Sequence, residues 1–448
     1  MGSVQQKLGN QSVTKSFFQY LLPTFFGMML MSLNIVVDGI FVGNGIGDVA
    51  LASVNIAVPV FSVIISLALL IGVGGATLYS MAMGEGNVQQ AQRYFMISAV
   101  FITMITIIVS IFSYIFIEPL ALLFGANEET LPYALDYMKI LILFSLVIAM
   151  EVMLSIFVRN DGNPTLAMMG MIVSAVFNII LNYVMIFVLG WEVLGAAIAT
   201  VTATGLGLLV LATHFFKKGA QLRFVRFKVR LKEIKNISFL GFPSFLSEAG
   251  MGVFVIGYNV AMAYYLGTNG VAAFSVINYL HAFMFLGFLS IGSSIQPMIS
   301  FYYGSRKLEK IRETVKIAER TAIGLGILFI LIGYFGSDFL VSIFGVDSIE
   351  IYDLATNGIT LFFLGYLFMG INAVYMTYYQ SIGRVKPAVG ITFYRGFIIL
   401  AITLLALPPL FGAAGIWLAL PIAEAIVAIF LIVFARKGIS QEIRESAL

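Results

Sequence analysis

Apolar runs follow one another along this chain, each long enough to cross a bilayer. Bounded by polar or Gly/Pro breaks, they lie near 17–43, 51–83, 94–117, 134–158, 166–189 and 194–216, and then near 237–265, 271–303, 320–336, 357–382, 388–410 and 414–435. A helix needs about 20 residues to cross the roughly 30 Å hydrocarbon core. Inside that core only helices and closed barrels can satisfy their own backbone hydrogen bonds. The runs lack the roughly ten-residue alternation of a membrane barrel strand. The expectation is an all-α polytopic membrane protein with twelve transmembrane helices. The run 51–83 exceeds the minimum, which tilt absorbs. Charged residues make up 10% of the chain, against roughly 25% in soluble domains, and this excludes a water-soluble core. The chain is polar through Ser16 and shows no small-residue cleavage site, so the first run is expected to be retained.

Basic residues set the expected orientation, because Lys and Arg collect on the cytoplasmic side. Lys7 and Lys15, Arg93, Arg159, the 217–235 segment, the 304–320 loop, Arg384 and Lys386, and the tail from Arg436 fall on one side and hold 23 of the 25 Lys and Arg residues. The opposite loops, 118–133 and 337–356, carry acids and no Lys or Arg. Lys139 and Arg395 are the exceptions. Both termini are expected in the cytoplasm of a bacterial cell, with the chain as a multi-pass protein of the inner membrane.

The two halves match at a nearly constant offset. Pro23 pairs with Pro243, Gly84 with Gly304, Phe124-Gly125 with Phe344-Gly345, Gly195 with Gly415, and Gly162 with Gly383. Six runs is an even number, so both halves start on the same side. Parallel repeats of this kind form two six-helix bundles related by a pseudo-two-fold axis along the membrane normal, with a substrate path between them. The expected layout is 1–216 as the first lobe, 217–235 as a basic linker and 236–448 as the second lobe. Eight basic residues in the linker face one acid, Glu233. Such a segment suits anionic headgroups and the expectation is no nucleic acid.

Ionised side chains at bilayer depth cost about 2.5–3.5 kcal/mol or more, so each needs a reason. Asp38 shares a helical face with Asn34, Met31 and Gly27, at spacings of four, three and four. A carboxylate, an amide and a thioether in one stripe suit a wet, cation-friendly cavity. Asn55, Pro59, Ser62 and Ser66 repeat the stripe in the second run. Asn178 and Asn182 sit one turn apart in the fifth run, and Thr200, Thr202 and Thr204 lie in the sixth. Together they are expected to form a hydrogen-bonded network around Asp38. The candidate substrate-binding residues are Asp38, Asn34, Met31, Asn55, Ser62, Thr200 and Thr202. In the second half Glu248, Asn259, Asn278, His281 and Glu424 could line a matching cavity. Glu424 could instead pair with Arg395, while Glu151 is too far along its helix to reach Lys139. Forty Phe and twenty-one Met residues supply an adaptable apolar wall. Cysteine is absent and His214 and His281 are the only histidines, so no metal site and no cofactor are expected. Nor does any nucleophile–base pairing point to an enzyme.

The segment Val37-Asp38-Gly39-Ile40-Phe41-Val42-Gly43-Asn44, followed by Ala50-Leu51-Ala52-Ser53-Val54-Asn55-Ile56-Ala57-Val58-Pro59, resembles the first two spans of multidrug and toxic compound extrusion (MATE) transporters. Gly241-Phe242-Pro243-Ser244, Gln296-Pro297 before Tyr303-Gly304, and Gly162-Asn163-Pro164 resemble other parts of the same family, in the bacterial branch with MepA-like and DinF-like members. The resemblance implies export of amphipathic organic cations by a monomer, against inward protons or sodium ions. It implies that Asp38 is the coupling acid. It maps the family's Asn-x-x-x-Asp onto Asn178 and Asn182; the second position is Asn here, which leaves Asp38 as the only acid in that cavity. Two alternatives stay open, a sodium-coupled antiporter using Glu248 or Glu424 and a lipid-linked precursor flippase. The second needs several intramembrane cations, and Arg395 alone qualifies.

Overall fold

A computed structural model describes the backbone of residues 8–346 and 348–446, with side chains to 433; Lys7 and the side chains of the tail from Arg436 lie outside the described residues. All twelve apolar runs lie on helix. In chain order the helices are α1 (Val13–Gly45), α2 (Asp48–Gly84), α3 (Val88–Ile115), the short α4 (Ile117–Leu123), α5 (Leu131–Leu143), α6 (Ser145–Asn160), α7 (Pro164–Asn182) and α8 (Glu192–Ala212). After the basic segment come α9 (Leu231–Gly304), α10 (Leu308–Ser342), α11 (Ile349–Phe362), α12 (Tyr366–Ser381), α13 (Val385–Phe393), α14 (Ile399–Ala406), the short α15 (Pro408–Phe411) and α16 (Ala413–Ser446). Among the described residues ten helices are long and apolar enough to cross a membrane, or eleven when α5 and α6, bent by 53° at Phe144, count as one. The 74-residue α9 leaves helical geometry at Gly267 (φ 63°, ψ −153°) and so runs as two arms. π-helical turns interrupt the fifth run of each half, at Tyr183–Val188 and Tyr394–Ile398.

The chain divides into two compact units, Met1–Phe245 and Leu246–Leu448. With lipid as apolar as leucine, helices in a membrane associate by close packing, and small residues permit it. In the first unit a Cβ on Gly241 would lie 1.6 Å from the Leu70 carbonyl oxygen, and one on Gly74 1.9 Å from that of Ile237. Backbone therefore meets backbone where α2 crosses the start of α9. α1 approaches α7 through Gly27, where a Cβ would lie 2.8 Å from Met171 Cε. The core of the second unit is aromatic. Tyr258 stacks on Phe274 at 4.9 Å, and Phe254, His281, Phe362 and Tyr366 continue the cluster; Trp417 is buried in the same unit. At Pro421, inside α16, the ring interrupts the helix ladder, and the Leu420 N–H donates instead to the Tyr258 hydroxyl (2.9 Å).

Tight turns join successive helices. At Gly162 (φ 77°) the Gly162 N–H reaches the Arg159 carbonyl (3.1 Å) and the Asn163 N–H that of Val158 (3.1 Å), and Pro164 then starts α7. The same double bond forms at Gly86, from Gly86 to Met83 and from Asn87 to Ala82. It recurs 220 residues later, from Arg306 to Tyr303 and from Lys307 to Tyr302, but with Arg at the left-handed position (φ 56°). An L side chain there costs about 1–2 kcal/mol. Arg306→Gly should therefore hold or raise the thermal midpoint of the detergent-solubilised protein. Gly241→Ala should lower it sharply, because moving two backbones apart costs about 3 kcal/mol or more. Size-exclusion chromatography after stepwise heating measures both.

Candidate functional site

Asp38 lies in the outgoing part of α1, half-buried against α7. Its Oδ1 accepts a hydrogen bond from Asn182 Nδ2. The same amide nitrogen donates to Asn178 Oδ1 (3.1 Å), Asn178 Nδ2 donates to Thr200 Oγ1 (3.2 Å), and Thr200 Oγ1 donates to the Ala196 carbonyl (3.0 Å). The one-turn spacing of Asn178 and Asn182 puts both amides on the α7 face toward α1 and α8. A π-helical turn begins immediately after Asn182. Turns of that kind open the helix ladder and recur at functional sites. Both Asn182 amide hydrogens point at acceptors, yet its own Oδ1 is buried with no donor, as is Asn34 Oδ1 on α1. Both amide oxygens are thus available as acceptors on the polar stripe of this site.

The sequence expectation drew the residues of this network together with others that do not meet it. Asp38, Asn178, Asn182 and Thr200 form one connected chain, with Asn34 nearby on the helix face of Asp38. Thr202 is exposed, about 200° around α8 from Thr200, so its hydroxyl faces away. Asn55 is exposed and donates to the Leu51 carbonyl of its own helix (3.1 Å). Met31 is 40% exposed, and Ser62 is half-buried on α2. Tyr137 on α5 went unnoticed. It is buried, its hydroxyl reaches Thr200, and it lies in the field of Asp38. Nothing in its local pattern distinguishes it from the other tyrosines of the chain.

In the second unit Glu424 is buried on α16 and pairs with Arg395 (3.3 Å), the alternative the sequence left open. Asn372 Nδ2 donates to Glu424 Oε2 (2.6 Å) and to the Glu424 carbonyl (2.9 Å). His281 is buried, bonded through Nδ1 to the Tyr366 hydroxyl (3.2 Å) and stacked on that ring. Glu424, Arg395 and His281 line one cavity with Met251, Phe254 and Met369. Glu248, Asn259 and Asn278 are half-buried and do not line it. The cavity thus takes two of the five expected residues, His281 and Glu424, together with Arg395 and apolar side chains that were not singled out. Asn372 was missed, although an amide inside the apolar run 357–382 was a readable signal.

A third polar cluster lies at the α6–α7 turn. The buried Asp161 accepts from the Tyr79 hydroxyl (2.7 Å) and from the Gln221 and Leu222 backbone N–H groups (2.8 and 3.3 Å), and meets His214 Nε2 at 2.7 Å. Arg93 adds a bond to the Lys228 carbonyl and an ion pair with Glu233, both at 2.9 Å. One carboxylate and one guanidinium thereby tie the basic segment to the first unit. Asp161→Ala would strip two backbone donors of their acceptor. Trypsin should then cut within 217–235 at least several-fold faster than in the native protein, with the helices otherwise resistant.

Long apolar helices enclosing polar networks define a polytopic membrane protein, and the comparisons with known proteins agree. A family model described as MatE matches residues 23–184 and 243–406. The two matches begin at Pro23 and Pro243, the pair that opens the internal repeat. The chain belongs to the MatE family, the multidrug and toxic compound extrusion transporters. It is 26% identical to the multidrug export protein MepA of Staphylococcus haemolyticus, over 94% of this chain and 93% of that one. To the protein of that name from Staphylococcus saprophyticus it is 28% identical, over 93% and 92%. A MATE family transporter solved in an outward-facing conformation superposes with a TM-score of 0.93 at 22% identity, over 98% of this chain and 99% of that one. A transporter of the same superfamily from Pyrococcus furiosus gives 0.90, also at 22% identity and over the same shares. At that identity the likeness establishes the fold.

Proposed function

We propose that this chain is a multidrug efflux antiporter of the bacterial cell membrane, exporting amphipathic organic cations in exchange for protons, with Asp38 as the coupling acid. The relatives named for multidrug export support the substrate class. The observation that carries the coupling is the Asp38–Asn182 contact, in which the carboxylate is held by neutral amide donors rather than by a fixed cation. An ionised carboxylate only accepts hydrogen bonds, whereas a protonated one also donates. Ionised Asp38 takes the Asn182 N–H and offers a negative charge to an organic cation. Once protonated, it offers no charge and needs an acceptor, and Asn182 Oδ1 is buried without a donor. Proton arrival thus removes the attraction for the cation and reverses the direction of the bond to Asn182. Thr200 and Tyr137 lie at the far end of the same chain and pass the change to α8 and α5. A proton entering down a potential of about 100 mV supplies about 2.3 kcal/mol.

Wild type and Asp38→Asn, reconstituted in proteoliposomes with an imposed pH gradient, test this reading. The variant should lose proton-driven export of an organic cation such as ethidium by at least about a hundredfold while still folding, since Asn replaces Asp at equal size. Unimpaired export by the variant removes Asp38 from the mechanism.

The sodium-coupled reading rests on Glu248. Among the described residues it is half-buried with no hydrogen bond or ion pair, whereas Glu424 is already compensated by Arg395 and Asn372. Export under a sodium gradient with the proton gradient collapsed, lost in Glu248→Gln, would favour it. For the flippase reading, the charge of Arg395 is balanced by Glu424, which leaves no net positive charge for a dianionic pyrophosphate. The proposed orientation, with both termini cytoplasmic, puts Asp38 in the outer half of α1. Because the chain has no cysteine, single-cysteine variants report it directly. In intact cells a membrane-impermeant maleimide should label Glu128→Cys and spare Lys218→Cys until the membrane is opened.

A further inference from the structure

We propose that the second unit holds a separate site for aromatic carboxylates, in which the free edge of Arg395 binds the carboxylate. This inference concerns other residues than the Asp38 coupling and does not rest on it.

The cavity lined by Met251, Phe254, His281, Met369, Arg395 and Glu424 encloses about 40 Å³. That is room for two or three waters, or for a head group of that size. Arg395 stands on the π-helical turn Tyr394–Ile398, and its side chain is 11% exposed. All its hydrogen bonds and its ion pair run through Nη1, to Glu424 Oε1 at 3.3 Å and Oε2 at 3.4 Å. Among the described residues, Nε–H and Nη2 make no hydrogen bond. Those two nitrogens form one planar edge, the edge that takes both oxygens of a carboxylate in parallel hydrogen bonds.

Glu424 cannot turn to fill that edge. Asn372 Nδ2 holds its Oε2 at 2.6 Å and its main-chain oxygen at 2.9 Å, which fixes both the side chain and its helix. The surrounding surface sets the rest of the ligand. Phe285, Met251 and Met369 line the rest of the cavity, and an apolar body larger than its roughly 40 Å³ enters by repacking of the two flexible thioethers. Charge selects the head group. Arg395 and Glu424 together are formally neutral, so a planar monoanion fits where a dianionic phosphate would meet the Glu424 carboxylate.

The test uses the full-length protein in lipid nanodiscs and equilibrium dialysis with 2-naphthoate and its neutral analogue 2-naphthalenemethanol. Naphthoate should bind the wild type at least about tenfold more tightly than the alcohol. Arg395→Gln should erase that preference, and Arg395→Lys should keep only part of it, because an ammonium has the charge without the fork. Glu424→Gln should strengthen naphthoate binding several-fold, since it removes the competing carboxylate. Equal binding of acid and alcohol by the wild type overturns the proposal. So does a loss of naphthoate binding of similar size in Arg395→Gln and Glu424→Gln, which is what a purely structural ion pair gives. Thermal midpoints and size-exclusion profiles report folding of each variant. Should Arg395→Gln fail to fold, the wild-type preference and the sign of the Glu424→Gln effect still decide the matter.

Discussion

A hydrogen-bonding group left unpaired in hydrocarbon costs several kcal/mol, and the arrangement of this protein follows from that cost. Helices settle the backbone. Most side-chain hydroxyls then settle themselves on their own helix, as Ser53 does on Val49, Thr103 on Ala99, Thr204 on Thr200 and Thr392 on Ala388. A hydroxyl so bonded carries no information beyond its own turn. Of the groups that reach across to another element, four meet an acid: Asp38 with Asn182, Asp161 with Tyr79, Asn372 with Glu424, and Tyr375 with Glu319. Each joins an amide or phenol to a carboxylate. An acid with a neutral partner can remain ionised or take a proton, and the helix pair it bridges feels the difference.

The helical architecture was legible because length and apolarity are local properties, and each run carries its own signal. The site was legible only where two polar residues share one helix face. Asn178 and Asn182 announce each other at a spacing of four, and Asp38 announces itself by its cost. Tyr137 had no such mark, since it joins the network from a third helix and its neighbours in sequence are unremarkable. Thr202 shows the opposite error. Thr200, Thr202 and Thr204 read as a stripe when taken as a group, but two residues advance a helix by about 200°, and the middle one faces away. Asn55 was misplaced because an amide in an apolar run can also be satisfied by its own helix. Asp161 escaped notice for another reason. It sits at a turn, where polar residues are expected, and only the fold brings Tyr79, His214 and the basic segment around it.

The two units deal with a buried acid in different ways, and this bears on what each can do. In the first, Asp38 is held by an amide, and the nearest unused groups are acceptors, Asn182 Oδ1 and Asn34 Oδ1. Such a surrounding accommodates an added positive charge, whether a proton or a cation. In the second, Glu424 has an arginine and an amide, and the amide's own Oδ1, on Asn372, is buried without a donor just as Asn182 Oδ1 is in the first. What differs between the two units is the fixed cation: Arg395 balances Glu424, whereas Asp38 has an amide alone.

The π-helical turns explain how one frame permits both outcomes. Each interrupts the fifth run of its half, one starting next to Asn182 and the other carrying Arg395. A π turn inserts a residue into the helix ladder and rotates everything beyond it by about 100° relative to an uninterrupted helix. Side chains at this point can therefore be aimed without moving the rest of the span, so the packing that holds the helices together need not change when the polar group does. At Gly27 and Gly45 on α1, a Cβ would meet Met171 Cε at 2.8 Å and Ile186 Cγ2 at 2.7 Å. These contacts hold α1 against α7 and the following turn from both sides of Asp38. The carboxylate is thus fixed in position by packing, while its amide partner sits at the start of a segment whose ladder is already open.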